Sequence, residues 1–296
     1  YMRGQAKDYN DWEINHGCTG WSYKDVLPIF INQEKNTRLS KPFHGKDGSL
    51  RVSDPEYKHP VNSAIIESAL QAGLSSNEDF NGANQEGAGW YQVTAHKGKR
   101  YSAATSFLKP QLHSEQLTLL TNTKAHNVLF SSYKATEVAI SNKYGQKKLK
   151  AKREIIIAAG SFQSPKLLMQ SGIGPEENLL RAGIDVIHNS INVGANLQDH
   201  VGTPVTMNLR KKIGVHGEDK GFKAIKNGFN YYALKRGLLT SNILEAGACV
   251  DTNGKGRPDV QFNFAPFAAG PPGKPPLPIH AVQVSPMTMR PKSRSR

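Results

Sequence analysis

The chain has 296 residues, 38% hydrophobic and 21% charged, enough apolar content for a sizeable core and too much for general disorder. Gly 27 and Pro 17 follow no period, no apolar run approaches the length that spans a bilayer, and Cys18 and Cys249 form neither a ligand spacing nor a disulfide framework. The formal charge of +14 favours non-specific contact with nucleic acid or anionic lipid at low salt, and part of it is local: six basic residues lie within 143–153 and four within 290–296. No zinc spacing, ribonucleoprotein motif or base-reading basic helix accompanies that charge, so specific nucleic-acid recognition is not expected.

Residues 1–34 mix aromatics with polar residues, and Ser22 is placed to cap a short helix running through Val26 and Leu27. A loop-rich stretch follows, and then a helix is expected over 62–72, with Ile65, Ile66, Ala69 and Leu70 on one face and Gly73 as its stop. The run 101–112 reads as a short helix ending at Pro110. From 117 the period changes to two: Leu117–Thr121, Val128–Phe130 and Thr136–Ser141 read as strands. Ile155, Ile156, Ile157 and Ala158, closed by Ala159 and Gly160, read as a buried parallel strand.

Beyond Gly160, Ser164 is placed to cap a helix with Pro165 in its first turn, and Gly172 and Gly174 end it. A second helix starts at Pro175-Glu176-Glu177, Ile184–Ile187 returns to strand, and a glycine loop carries Asn196, Asp199 and His200. A strand feeding a glycine and a helix start is the physical form of a nucleotide contact, because free backbone N–H groups point outward there. From 201 onward alternating strands and Gly/Pro-rich connections read as mostly antiparallel sheet. There is no GxGxxG, Walker A, HExxH or GxSxG pattern, and no metal site is expected. Of the ten histidines only His200 stands out; the others read as surface or packing residues.

The stretch Gly160-Ser-Phe-Gln-Ser164-Pro165-Lys-Leu167-Leu168-Met-Gln-Ser171-Gly172-Ile173-Gly174 resembles the second signature of the glucose–methanol–choline (GMC) flavin oxidoreductases. Tyr1-Met-Arg3-Gly4 through Trp12, Gly20-Trp21-Ser22-Tyr23, Phe80-Asn81-Gly82, Asn196-Leu197-Gln198-Asp199-His200, Leu239–Asn242, Pro258–Gln261 and Arg290–Arg294 follow in family order. The resemblance covers essentially the whole chain and is nearest to the alcohol and choline dehydrogenase branch. It implies an α/β with α+β fold: part of a Rossmann-like FAD-binding domain plus an antiparallel-sheet substrate-binding domain. The expected division is an FAD-domain segment at 1–34, a lid and substrate-side segment at 35–100, an FAD-binding portion at 101–200 and a substrate-binding domain at 201–296.

The implied cofactor is FAD and the implied reaction is oxidation of an alcohol CH–OH group, with a quinone, an electron carrier or oxygen as acceptor. Carried over position by position, the cofactor-binding candidates are Tyr1, Met2, Ala125, Ala159, Gly160, Ser164, Asn196, Asp199 and His200. Ala125 would offer its backbone to the adenine, with a plain strand residue as the alternative, and Ser164 reads as a helix cap before it reads as a ligand. The family's glycine-rich FAD loop and its catalytic histidine segment are expected outside these residues, so nothing within 1–296 is nominated as catalytic. The fragment alone is then expected to show little activity. A catalytically inactive GMC-fold remnant or binding protein is the alternative, and a basic nucleic-acid or membrane-surface protein a third. The expected location is cytoplasmic, with peripheral membrane contact left open.

Overall fold

The computed structural model describes residues 1–271 and 273–295. In chain order it forms α1 (Ala6–His16), α2 (Tyr23–Gln33), β1 (Glu34–Asn36), β2 (Leu50–Val52), α3 (Pro60–Gln71), β3 (Gly87–Trp90), β4 (Ala95–His96) and β5 (Lys99–Arg100). Next come β6 (Lys124–Ser131), β7 (Lys134–Asn142), β8 (Gly145–Lys150), α4 (Gly160–Gln170), β9 (Ile173–Gly174), α5 (Glu176–Arg181) and β10 (His188–Asn189). The last stretch holds β11 (Val201–Gly202), β12 (Val205–Asn208), α6 (Gly221–Tyr232), β13 (Ala246–Val250), β14 (Val260–Ala265) and β15 (Ala281–Thr288). These elements gather into two compact units, one of residues 1–114 with 200–290 and one of residues 115–199 with 291–296.

The first unit is built on an antiparallel sheet in the order β11-β15-β14-β13-β3, with β12 also paired to β15. Thus β3, from early in the chain, completes a sheet otherwise made after residue 200. Ala88, Ala246, Ala248 and Phe264 form the core on one face, against which Ile65, Ile66 and Ala69 of α3 pack. Three alanines on the sheet let the helix approach closely enough to exclude water. On the other side Phe80 stacks edge-on to Tyr91 at 4.9 Å beside Cys249. Gly247 has no room for a side chain, since a Cβ there would lie 2.0 Å from the Tyr91 hydroxyl and 2.1 Å from the Phe262 carbonyl.

Helix α2 starts as its sequence foretells: Ser22 is the N-cap and forms a capping box with Asp25. The helix expected over 62–72 is α3, and Gly73 follows it with a φ of 98°. The segment 104–111 is a π turn running into a 3-10 turn rather than a regular helix.

In the second unit β6, β7 and β8 form an antiparallel meander. Every residue of β8 is exposed, and Lys147, Lys148 and Lys150 line this outer strand. Such charge on an unpaired edge discourages pairing with other chains. Helix α4 packs on β6, and Ser171 joins the two: its Oγ accepts the Val128 N–H at 2.8 Å and donates to the Leu167 carbonyl at 2.6 Å.

Three expectations from the sequence require correction. Leu117–Thr121 forms no strand, and Leu119 and Leu120 are exposed. Ile184–Ile187 becomes strand only afterwards, at His188–Asn189, where β10 pairs parallel to β9. Ile155–Ala159 is neither a strand nor buried: Ile156 is 78% exposed, and no ladder runs along the segment among the described residues. In all three an apolar, β-branched run signals extended chain, but a strand also needs a neighbour to take its N–H and C=O groups.

Candidate functional site

The first turn of α4 is open. Gly160 begins the helix with a φ of 85°, a left-handed value that favours glycine, and a Cβ placed there would meet nothing within 4 Å. Ser164 does not sit at the N-cap. Ala159 holds that position, and Ser164 lies inside the first turns with Pro165 behind it. The serine still acts as a cap acceptor, because the Ala159 N–H donates to its Oγ at 3.0 Å. The N–H groups of the following residues stay unpaired by the helix itself and carry the positive end of its dipole.

One face of α4 forms a wall of a groove of about 820 Å³, lined by Ser161, Ser164, Leu168 and Met169 on the helix and by residues 193–198 opposite. That loop is shaped by two left-handed residues, Gly194 with φ 75° and Asn196 with φ 61°. A side chain at Gly194 would lie 2.6 Å from the Met169 methyl, so glycine lets the loop close against the helix. Asn196 also borders a smaller cleft of about 280 Å³ with Ile191, Asn192 and Arg294.

Of the candidates carried over from the sequence, Ser164 and Asn196 line the same groove, and Ala159 and Gly160 stand at the helix start beside Ser161. Asp199, exposed, closes the loop. Ala125 is an exposed residue of β6, paired in register with Ile140, and does not line the groove. Tyr1, Met2 and His200 belong to the other unit, where His200 is exposed and Met2 packs on Phe80, Tyr91 and Cys249. Burial pushes the Cys249 thiol up to about 12, so it stays protonated and inert.

Sequence reasoning missed a buried polar network that fixes the Tyr1–Gly4 segment. Arg3 pairs with Glu34, donates through Nη1 to the Phe43 carbonyl at 2.6 Å and lies over the Phe30 ring. Its backbone N–H donates to Asn81 Oδ1 at 2.7 Å, while Asn81 Nδ2 donates to the Tyr1 carbonyl at 3.1 Å. His44 stands between Glu34 and Asp79, 3.0 Å from each. Burial pulls the His44 pKa down, but hydrogen bonds to the Asp79 and Glu34 carboxylates outweigh it and raise the value to about 9. Burial likewise pushes Asp79 up, and its bond to His44 holds it below the usual carboxylate range. The network contains no nucleophile. Its work is to hold the segment that carries Tyr1 and Met2.

Comparison with known proteins places the chain in a family. The GMC oxidoreductase sequence profile matches residues 1–202. The chain belongs to the GMC oxidoreductase family. Among curated family relatives, an oxygen-dependent choline dehydrogenase of Rhizobium etli is 38% identical over 285 residues, covering 96% of this chain and 52% of the relative. An alcohol dehydrogenase [acceptor] of Pseudomonas putida is 37% identical over 276 residues, covering 90% of this chain and 49% of the relative. The chain spans about half the length of the curated relatives it matches.

The family fold is also evident in solved structures. Pyridoxine 4-oxidase from Mesorbium loti superposes with a TM-score of 0.84 at 24% identity, covering 99% of this chain and 54% of the other. A formate oxidase of Aspergillus oryzae RIB40, described for its FAD modification, gives 0.84 at 22%, covering 99% and 57%. The α/β with α+β fold expected from the sequence is therefore that of the GMC oxidoreductases.

Proposed function

We propose that this chain contributes the FAD-contacting α4 turn and 193–200 loop of an oxidoreductase acting on the CH–OH group of an alcohol. The single observation that carries the reading is the open start of α4 at Gly160, beside the groove that holds Ser164 and Asn196. The residues present fit the edge of a dinucleotide. The absent side chain of Gly160 allows close backbone approach, the helix start offers N–H donors to an anionic group, and an apolar helix face adjoins them.

In this reading the backbone at Ala159 and Gly160 meets the polar edge of FAD, and Ser164 keeps the helix start in place. Asn196 offers amide donors and acceptors from a loop held by Gly194, and Asp199 and His200 continue that loop. Tyr1 and Met2 are steadied by Arg3 and Asn81. FAD, when bound, supplies the two-electron acceptor; the protein supplies placement and electrostatics. The names of the relatives favour choline or another primary alcohol as substrate. A quinone, an electron carrier or oxygen is the class of terminal acceptor, and the cytoplasm the expected compartment.

The test is anaerobic addition of choline, and separately of a primary alkanol, to the chain equilibrated with FAD. Because nothing within 1–296 is nominated as catalytic, slow and partial bleaching of the flavin absorbance by either alcohol, well short of stoichiometric, is the expected result. A flavin that binds and is bleached only by a nicotinamide donor would replace the alcohol reading.

A further inference from the structure

Helix α6 reverses the usual amphipathic arrangement. Phe222, Ile225, Phe229 and Tyr232 recur at intervals of three, four and three residues, which aligns them along one side. That side faces solvent, with exposures of 79%, 70%, 62% and 73%. The half-buried side carries Ala224, Asn227, Gly228 and Asn230, and Asn227 Nδ2 donates to the Glu218 carbonyl at 3.0 Å and to its carboxylate at 3.1 Å. A polar face thus fastens the helix while four large apolar side chains stand in water. Leu234 and Leu239, at 44% and 51%, extend the apolar surface past the helix end. A contiguous exposed patch of this kind marks an interaction surface.

Charge decides what the surface fits. Residues 209–240 hold eight Lys and Arg against two acids, Glu218 and Asp219. Lys223 is paired with Glu218 at 2.7 Å, and Lys220 and Lys226, both exposed, belong to the same helix start and flank. A second copy docked face to face would set these cations against their own images, because a two-fold interface brings the same patch to both sides. An anionic bilayer instead accepts both features at once: rings enter the acyl boundary and ammonium groups meet phosphates. No helix among the described residues is long and apolar enough to cross a membrane.

We propose that α6 is a docking surface for an anionic lipid bilayer, lying in the plane of the interface with Phe222, Ile225, Phe229 and Tyr232 inserted and its lysines on the headgroups. The surface shares no residue with the groove at α4 and does not depend on the flavin reading.

The test is co-sedimentation of the full chain with phosphatidylcholine vesicles and with vesicles carrying about one-third phosphatidylglycerol. Pelleting is expected with the anionic vesicles alone. It should weaken about tenfold or more in F222S/F229S and in K220E/K226E, whose exposed positions leave the melting temperature unchanged. Binding by F222S/F229S equal to the parent, or no binding by the parent, overturns the proposal. So does a dimer that F222S/F229S dissociates while the parent ignores vesicles. Hydroxyl-radical footprinting adds a readout on the unmutated chain: Phe222 and Tyr232 should be oxidised in buffer and protected by anionic vesicles. Protection without vesicles means that protein covers the face, and the proposal falls.

Discussion

His44 Nε2 lies 3.0 Å from Asp79 Oδ2, on the opposite side of the ring from Glu34, so one buried imidazole joins a carboxylate of β1 to one in the loop before β3. Removing it takes a partner from Glu34, which water does not reach, and from Asp79, which is only partly exposed. H44Q should destabilise the fold by about 3–5 kcal/mol, the usual result of breaking a buried ionic cluster. Urea unfolding with an unchanged m-value measures this, and a loss under about 1 kcal/mol would show that Arg3 and Asn36 satisfy Glu34 without His44.

The same group gives stability a pH dependence of known sign. The folded His44 pKa of about 9 stands above the ordinary 6.5, so the folded state binds the proton more tightly. Its contribution, on the order of 3 kcal/mol, is complete below about pH 6.5 and is lost as pH rises through 9. Asp79, shifted downward, contributes above its ordinary value of 3.8 and loses that contribution in acid. Melting temperatures should therefore peak between about pH 4 and 6.5 and fall toward pH 9. In H44Q the alkaline fall should shrink.

Ser171 ties β6 to the end of α4 through two hydrogen bonds at a buried site. S171A strands the Val128 N–H and should cost about 1–3 kcal/mol. Hydrogen exchange should locate the loss, with the Val128 amide exchanging faster.

Two glycines should respond in opposite directions to alanine. G247A drives a Cβ into the Tyr91 hydroxyl and the Phe262 carbonyl, and should cost about 1–3 kcal/mol by overpacking. G228A, in the middle of α6 with nothing within 4 Å of the added atom, should stabilise by up to about 1 kcal/mol. Thermal melts of the two variants check both signs.

What could be read from the sequence follows from the range of the forces involved. The start of α2 at Ser22 and the stop of α3 at Gly73 were legible because capping and left-handed turns are decided within a few residues. Ile155–Ala159 misled because its composition signals extension, whereas pairing depends on residues far away in sequence. The joining of β3 to β13, with Ala88 opposite Ala248, leaves no local mark for the same reason. At the site, the Gly194–His200 loop was legible through its glycine, whereas Gly160, expected to close a strand, begins α4 instead. The Arg3–Glu34–His44–Asp79 network was not, since its members are spread over 77 positions with no common period.

The most direct test of the flavin reading is equilibrium dialysis of the purified chain against FAD, run beside G160V. The expected result is saturable binding at one site, weakened about tenfold or more in G160V, whose branched side chain is also strained at the left-handed φ of 85° and lowers the melting temperature by several degrees. G160V binding FAD as tightly as the parent, or a parent that takes up none, would contradict the placement of the cofactor at the start of α4.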